Sequence, residues 1–333
     1  MFFLVFIYKI NDMSKQETSS KIPERKDHFV PQAYLSNFCN KETKKIHIFD
    51  KNTDKWFETT TKNICFEYGW DRLDCNGDNT YLSDHLKALE PHLKRFLRAI
   101  KHEKITDHDR YYFATWLAII FALSPARKEY DLSSLKLLGY NIDQNSQALT
   151  FYLRQRNLQQ ARHIGMMLYA YDWHLTYNFT DLPFITCDFP AHYLCLNDTI
   201  PPLYQPLGIA LDPHTFLRIM PKEITNPKVF QPGFSDFSQI KPGQLTYGKI
   251  SRFWNQAQKL ITRMNEHAIF NAQRFIISSY VDDGLRQFVN NRKHKTTSFK
   301  PVLTQINNKP MIKTKLSNNF ENIPLKLPKN IKF

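Results

Sequence analysis

The segment 110-RYYFATWLAIIFAL-123 constrains this chain more than any other. Apolar side chains fall on nearly every side of a 3.6-residue period. A helix built from it has almost no polar face and must run through the middle of a core. The residues just before it, 106-TDHD-109, read as its start, with Thr106 as N-cap and Asp109 three residues on in place of the usual Glu.

The other segments arrange themselves around that helix. From Tyr81, Leu82, Leu86, Leu89, Leu93, Phe96, Leu97 and Ile100 recur at steps of three and four, with Pro91 expected to kink the helix or restart it. Further helices are expected over about 146–171 and 252–275. A short one is expected to begin at Pro31 and bury Tyr34, Leu35 and Phe38. Period-two and β-branched runs predict a hairpin over 45–60 turning at Asn52-Thr53-Asp54, then strands over 173–177, 183–188, 207–211 and 215–220. Residues 70–84 read as an acidic turn, and 221–248 as a loop rich in Pro and Gly. Helices group centrally and strands flank them. This predicts an α+β fold: a central helical bundle packed with a small, mainly antiparallel sheet, forming a single domain over 27–285.

The ends read differently. The opening 1-MFFLVFIYKIND-12 is too short to span a bilayer and lacks a basic leader, so residues 1–26 are expected to be a lead, with translation starting at Met13. Between Arg286 and Phe333 there are eleven Lys/Arg against one acid, Glu321, a net of +10 out of +14 for the chain. Residues 286–333 are therefore expected to be a disordered basic tail suited to nucleic acid or another anionic partner. No other segment approaches the apolar length of a transmembrane helix.

Several chemistries lack their motifs. The five cysteines, Cys39, Cys65, Cys75, Cys187 and Cys195, include no Cys-x-x-Cys, which argues against a disulfide framework or a zinc knuckle and for reduced thiols in the cytoplasm. None of the nine glycines falls in a dinucleotide, P-loop or nucleophile-elbow motif, and His-Glu-x-x-His is absent.

Five ordered segments carry a resemblance. The stretch 28-HFVPQAYLSNF-38 is followed by 46-IHIFDK-51, 63-NICFEYGW-70, 184-FITCDFP-190 and 265-NEHAIFNAQRFIISS-279. Together they resemble the bacterial family known as domain of unknown function 4238, over roughly residues 27–280. Its members typically begin His-His-x-Val-Pro-Gln-x-Tyr-Leu-x-x-Phe and carry a central Thr-Ser-Asp-Asn-Pro. Here Asp27 stands for the first His, Cys187 for Ser and Phe189 for Asn. A paired-His metal site is therefore not intact in that form. The resemblance implies a shared fold and site, and no reaction.

The candidate site residues follow from these segments. His28 lies in extended chain just ahead of a helix N-terminus, where the dipole favours neutral imidazole, so it can serve as general base or metal ligand. The alternative is a His bonded to backbone at a helix start. Gln32, in the first turn, can orient water or substrate, and Asp188, at a strand tip before Phe189-Pro190, can serve as acid or ligand or simply cap a turn. Arg127, after Pro125 at the end of the central helix, can bind an anion or complement the helix C-terminus. Thr186 and Asn265, from the two late segments, complete the substrate-binding set. The expected function is a hydrolase, phosphodiester-cleaving, using His28 and Asp188, with a divalent metal as a compatible cofactor. The alternative is a non-catalytic module that binds nucleic acid or protein through the basic tail.

Overall fold

The computed structural model describes residues 26–68, 72–75, 78–81, 83–102, 104–140, 142, 147–194, 205–221, 250–255, 258–306 and 309–318. In chain order the elements are β1 (Lys26–His28), α1 (Gln32–Leu35), β2 (Ile46–Asp50), β3 (Lys55–Thr59), β4 (Phe66–Tyr68), β5 (Arg72–Cys75), β6 (Asp78–Tyr81), α2 (Ser83–Lys101), α3 (Asp107–Leu123), α4 (Pro125–Leu137) and α5 (Gln147–Ala170). There follow β7 (Asp172–Asn178), β8 (Thr186–Cys187), β9 (His192–Tyr193), β10 (Leu207–Asp212), β11 (Thr215–Met220), β12 (Ile250–Asn255), α6 (Gln258–Asn271), β13 (Phe275–Ser278), α7 (Asp283–Asn290), β14 (Thr297–Ile306) and β15 (Lys309–Asn318). This is the α+β architecture expected from the pattern.

The apolar helix α3 is central, as its sequence requires. Thr106 and Asp109 close a reciprocal capping box, with Asp109 N donating to Thr106 Oγ1 at 3.2 Å and Thr106 N to Asp109 Oδ2 at 3.1 Å. Phe113 stacks on Phe96 of α2 at 4.0 Å and meets Trp173 of β7 edge-on at 5.8 Å. Helix α5 comes close enough that a Cβ on Gly165 would stand 3.1 Å from the Thr115 Cα, so this contact depends on glycine.

Two sheets flank the helices. One runs β12-β7-β11-β10-β9, antiparallel except that β12 lies parallel to β7. The other runs β3-β2-β13-β8, entirely antiparallel, with β13 inserted between segments far apart in sequence. Strands β10 and β11 fall on the runs predicted for them, and the 46–59 hairpin turns where Asn52-Thr53-Asp54 predicts. Pro91 sits inside a continuous α2.

Four departures from the sequence reading have physical reasons. The helix expected from residue 252 begins at Gln258, because Ile250–Asn255 pairs with β7, and its aromatic residues Phe253 and Trp254 suit an edge strand. The acidic stretch in 70–84 contains a small hairpin, β5–β6. Arg127 does not end the central helix but lies in the first turn of a new one, α4, whose N-cap Ser124 accepts from Arg127 N at 3.2 Å. The region expected to be a disordered tail holds ordered elements to residue 318. Asp282 caps α7, which buries Leu285 and Val289 against Phe49 and Ile185. The β14–β15 hairpin is tied to α4 by Tyr130 Oη and Thr314 Oγ1 at 2.7 Å. Part of the basic charge there is internally paired, Arg292 with Glu266 at 2.7 Å and Lys293 with Asp54 at 2.5 Å. Composition registered the charge but not these partners. Residues 222–248 of the Pro- and Gly-rich loop and 1–25 of the expected N-terminal lead lie outside the described residues.

Candidate functional site

Strand β1 pairs with β4 in the register Lys26↔Tyr68, Asp27↔Glu67 and His28↔Phe66, which fixes the chain just ahead of α1. Val30, held extended by the following proline, enters the core, and Pro31 is the N-cap of α1. The first turn of α1 therefore brings Gln32 back beside His28, Nε2 to Nδ1 at 3.4 Å. Tyr34, Leu35 and Phe38 are fully buried, as expected.

His28 and Gln32 open into a cleft of about 370 Å³. Its other walls are Lys26, Asp27 and Pro31 from the same segment, and Leu86, Lys87 and Glu90 from α2. The α2 residues share one helix face by their spacing of three and four. Sequence periodicity exposes that face but not what it packs against, which is why Lys87 and Glu90 escaped the sequence reading.

Two titratable groups of the cleft are pushed toward neutrality. Burial lowers the His28 pKa, and the Lys26 charge adds to this, while carbonyls at Thr61, Lys62 and Lys26 act the other way. Burial raises the Glu90 pKa against the opposing charges of Lys94 and Lys87. The His28 Nε2 is enclosed without a hydrogen bond of good geometry. Its Nδ1 faces the Gln32 amide, whose N–H donates to that nitrogen when the ring proton sits on Nε2.

The remaining expected residues lie elsewhere. Thr186 Oγ1 meets Tyr34 Oη at 2.7 Å, and Tyr34 donates its own proton to the Ala210 carbonyl at 2.6 Å, so this pair joins α1, β8 and β10. Asn265 holds the chain ahead of β8, accepting from Ile185 N at 3.1 Å and donating to the Pro183 carbonyl at 2.8 Å. Arg127 reaches Asp131 at 3.3 Å and Asn157 at 3.4 Å, in a cluster with Arg156.

Asp188 does not line the cleft. Its carboxylate accepts from three successive backbone amides, Gln273 at 2.9 Å, Arg274 at 2.7 Å and Phe275 at 3.0 Å. Burial pushes its pKa up to about 6 against these donors and the Lys51 charge. The structure thus brings His28 and Gln32 together, while Thr186, Asn265 and Asp188 brace the strands around β8. His192 is buried on β9 beside His267, ring centroids 6.4 Å apart.

Among the described residues no group of three or more His, Cys, Asp or Glu side chains is disposed to hold a metal ion. Cys39, Cys65 and Cys187 are free thiols. No helix of the described residues is long and apolar enough to cross a membrane. A family model described as "Protein of unknown function (DUF4238)" matches residues 26–282. No curated protein and no solved structure matches the chain.

Proposed function

The chain belongs to the family of proteins of unknown function DUF4238, and since membership carries no reaction we propose one from the cleft: hydrolysis of an anionic ester, phosphodiesters first among them. The observation that carries this reading is the single cleft lined by His28 and Glu90, both driven toward their neutral forms, together with Lys26 and Lys87. A neutral imidazole can take a proton and a protonated carboxyl can give one, so the forms that burial favours are matched to the base and acid roles. Neutral His28 takes a proton from the attacking water at its Nδ1, beside the Gln32 amide. As the water oxygen bonds to phosphorus, the bond to the leaving alkoxide breaks, and protonated Glu90 supplies the proton that oxygen needs. The two lysines offset the substrate's negative charge. In this reading Asp188 supports the fold and does not touch substrate. A cytoplasmic setting accords with the free thiols.

The test is turnover of pooled nucleotide and nucleic acid phosphodiesters, scanned across divalent cations, by the full chain and by His28→Ala. Loss of the base is expected to slow turnover by about 10²–10⁴-fold. Absence of turnover under every cation, or equal rates in the two proteins, rejects the reading.

One observation favours a second reading, a module that binds an anionic polymer. In the β14–β15 hairpin Lys300 stands directly opposite Lys315, and both are exposed. Like charges facing each other destabilise an isolated ribbon, and a phosphate backbone laid on it would relieve that. Binding of a DNA duplex by the full chain, weakening steeply with salt and lost on removal of residues 290–333, would favour this reading over the enzyme.

A further inference from the structure

The five-stranded sheet sets one residue from each strand in a single row: His192 on β9, Gly208 on β10, Arg218 on β11, His174 on β7 and Ser251 on β12. Residues paired directly across strands share a face. This face is opposite the one through which Trp173, Leu175 and Leu217 enter the helical core. Toward β9 it is closed, with the His192 ring 6.0 Å from Phe216 and beside His267 of α6. Toward β12 it opens, where His174 and Ser251 are half-buried and Phe253 is exposed.

At the boundary sits a charge that meets no counter-charge among the described residues. Arg218 is only 5% exposed, and its Nε is enclosed with no hydrogen-bond partner. Burial lowers its pKa, to about 10, so it remains a cation at neutral pH, and no carboxylate of the described residues offsets that shift. Asp172, two residues before His174 on the same face, acts on His174 and has partners of its own. The guanidinium lies 5.4 Å from the Phe253 ring, and the His174 ring lies 5.4 Å from Phe253 as well. Thr176, paired with both Phe216 and Phe253, places a second enclosed and unpartnered polar atom, its Oγ1, on this face.

A buried guanidinium is costly unless something compensates it. We propose that Arg218 anchors a binding site for a small carboxylate or phosphate carried on a flat apolar group. The planar guanidinium takes the oxyanion, the hydroxyls of Thr176 and Ser251 stand on the same sheet face as donors, and Phe253 with His174 flanks the flat portion. None of these residues lines the His28 cleft, so the site stands whether or not that cleft is catalytic.

The experiment titrates the full chain separately with benzoate and with inorganic phosphate, at constant ionic strength set with chloride, reading the melting temperature. A saturable rise with at least one of them is expected. Benzoate alone identifies a carboxylate ligand, phosphate alone a phosphate ligand, and both a general oxyanion site. Arg218→Met should weaken that binding at least about tenfold, while melting without ligand no lower than the wild type because the uncompensated charge is gone. Should that variant fail to fold, Phe253→Ala at the exposed end should weaken benzoate several-fold and leave phosphate unchanged. No saturable rise with either anion, or full binding by Arg218→Met, overturns the proposal, and benzoate binding unaffected by Phe253→Ala overturns the part given to the flat group.

Discussion

Asp188 and Lys51 hold one stretch of backbone by its opposite polarities. The Asp188 carboxylate takes the amides of Gln273, Arg274 and Phe275, while the Lys51 ammonium donates to the carbonyls of Ile269 and Ala272 at 3.3 and 3.0 Å. Between them they turn the end of α6 into β13. Arg274, within that stretch, forks onto Asp50 with its closest approach at 2.8 Å, fastening the same turn to β2.

Removing the carboxylate leaves three amides without an acceptor in a buried place. Asp188→Ala should therefore cost on the order of 3 kcal/mol of stability, read by denaturant unfolding. Asp188→Asn, which keeps one acceptor oxygen, should lose less. A loss below about 0.5 kcal/mol in the alanine variant would show that the amides find other partners.

His192 and His267 make the fold sensitive to acid. Burial depresses their pKa values from 6.5 to about 3 and about 4. The unfolded chain gains these protons below pH 6.5 and the folded chain does not, so stability is lost as pH falls from about 6.5 toward 4. Each histidine contributes up to about 1.4 kcal/mol per pH unit. Asp188 works with the opposite sign. Its raised pKa, about 6 against 3.8, makes its contribution larger below pH 4 and smaller above pH 6. Across pH 4–6 the two histidines should outweigh the one carboxylate. Unfolding free energies at several pH values should fall on acidification, and His192→Leu should flatten that fall by about one proton. An unchanged slope would show His192 charged in the fold.

Gly208 is required where it stands. A Cβ there would lie 2.5 Å from Leu194 Cδ2 and 2.7 Å from Phe216 Cζ, both enclosed side chains. Gly208→Ala should cost about 1–3 kcal/mol through overpacking, visible as a lowered denaturation midpoint with an unchanged denaturant slope.

If the His28 cleft catalyses, its pH profile follows from the two shifts. His28 must be neutral, and its pKa lies below the usual imidazole value, whereas Glu90 must be protonated, and its pKa lies above the usual carboxylate value. Turnover should peak on the acid side of neutrality, between those two ordinary values. Glu90→Gln should remove the dependence on the carboxyl while keeping the imidazole limb. A profile still rising above pH 8 would exclude this pair.

Much of this was legible in the residues. The all-round apolar character of 110–123 announced a central helix, Thr106 and Asp109 announced its cap, and the β-rich runs 207–211 and 215–220 announced β10 and β11. Five short segments in order identified the family. Local rules sufficed there because periodicity, capping and turn chemistry act over a few residues. The closeness of Gln32 and His28 belongs to the same class, since both flank one proline.

Partners distant in the chain were decided by the tertiary structure. The sequence marked Asp188, Thr186 and Asn265 as polar residues in apolar surroundings, a pattern shared by catalytic groups and by buried braces. Which role each fills depends on what lies opposite: the amides of 273–275, the Tyr34 hydroxyl and the backbone of 183–185. Packing likewise set Glu90 and Lys87 across from His28 and left Arg218 enclosed with no carboxylate against it among the described residues. The chain by itself determined its helices, its turns and its family. Folding alone determined which charges meet and which are left uncompensated, because electrostatic energies depend on through-space distance and burial, neither of which is fixed by separation along the chain.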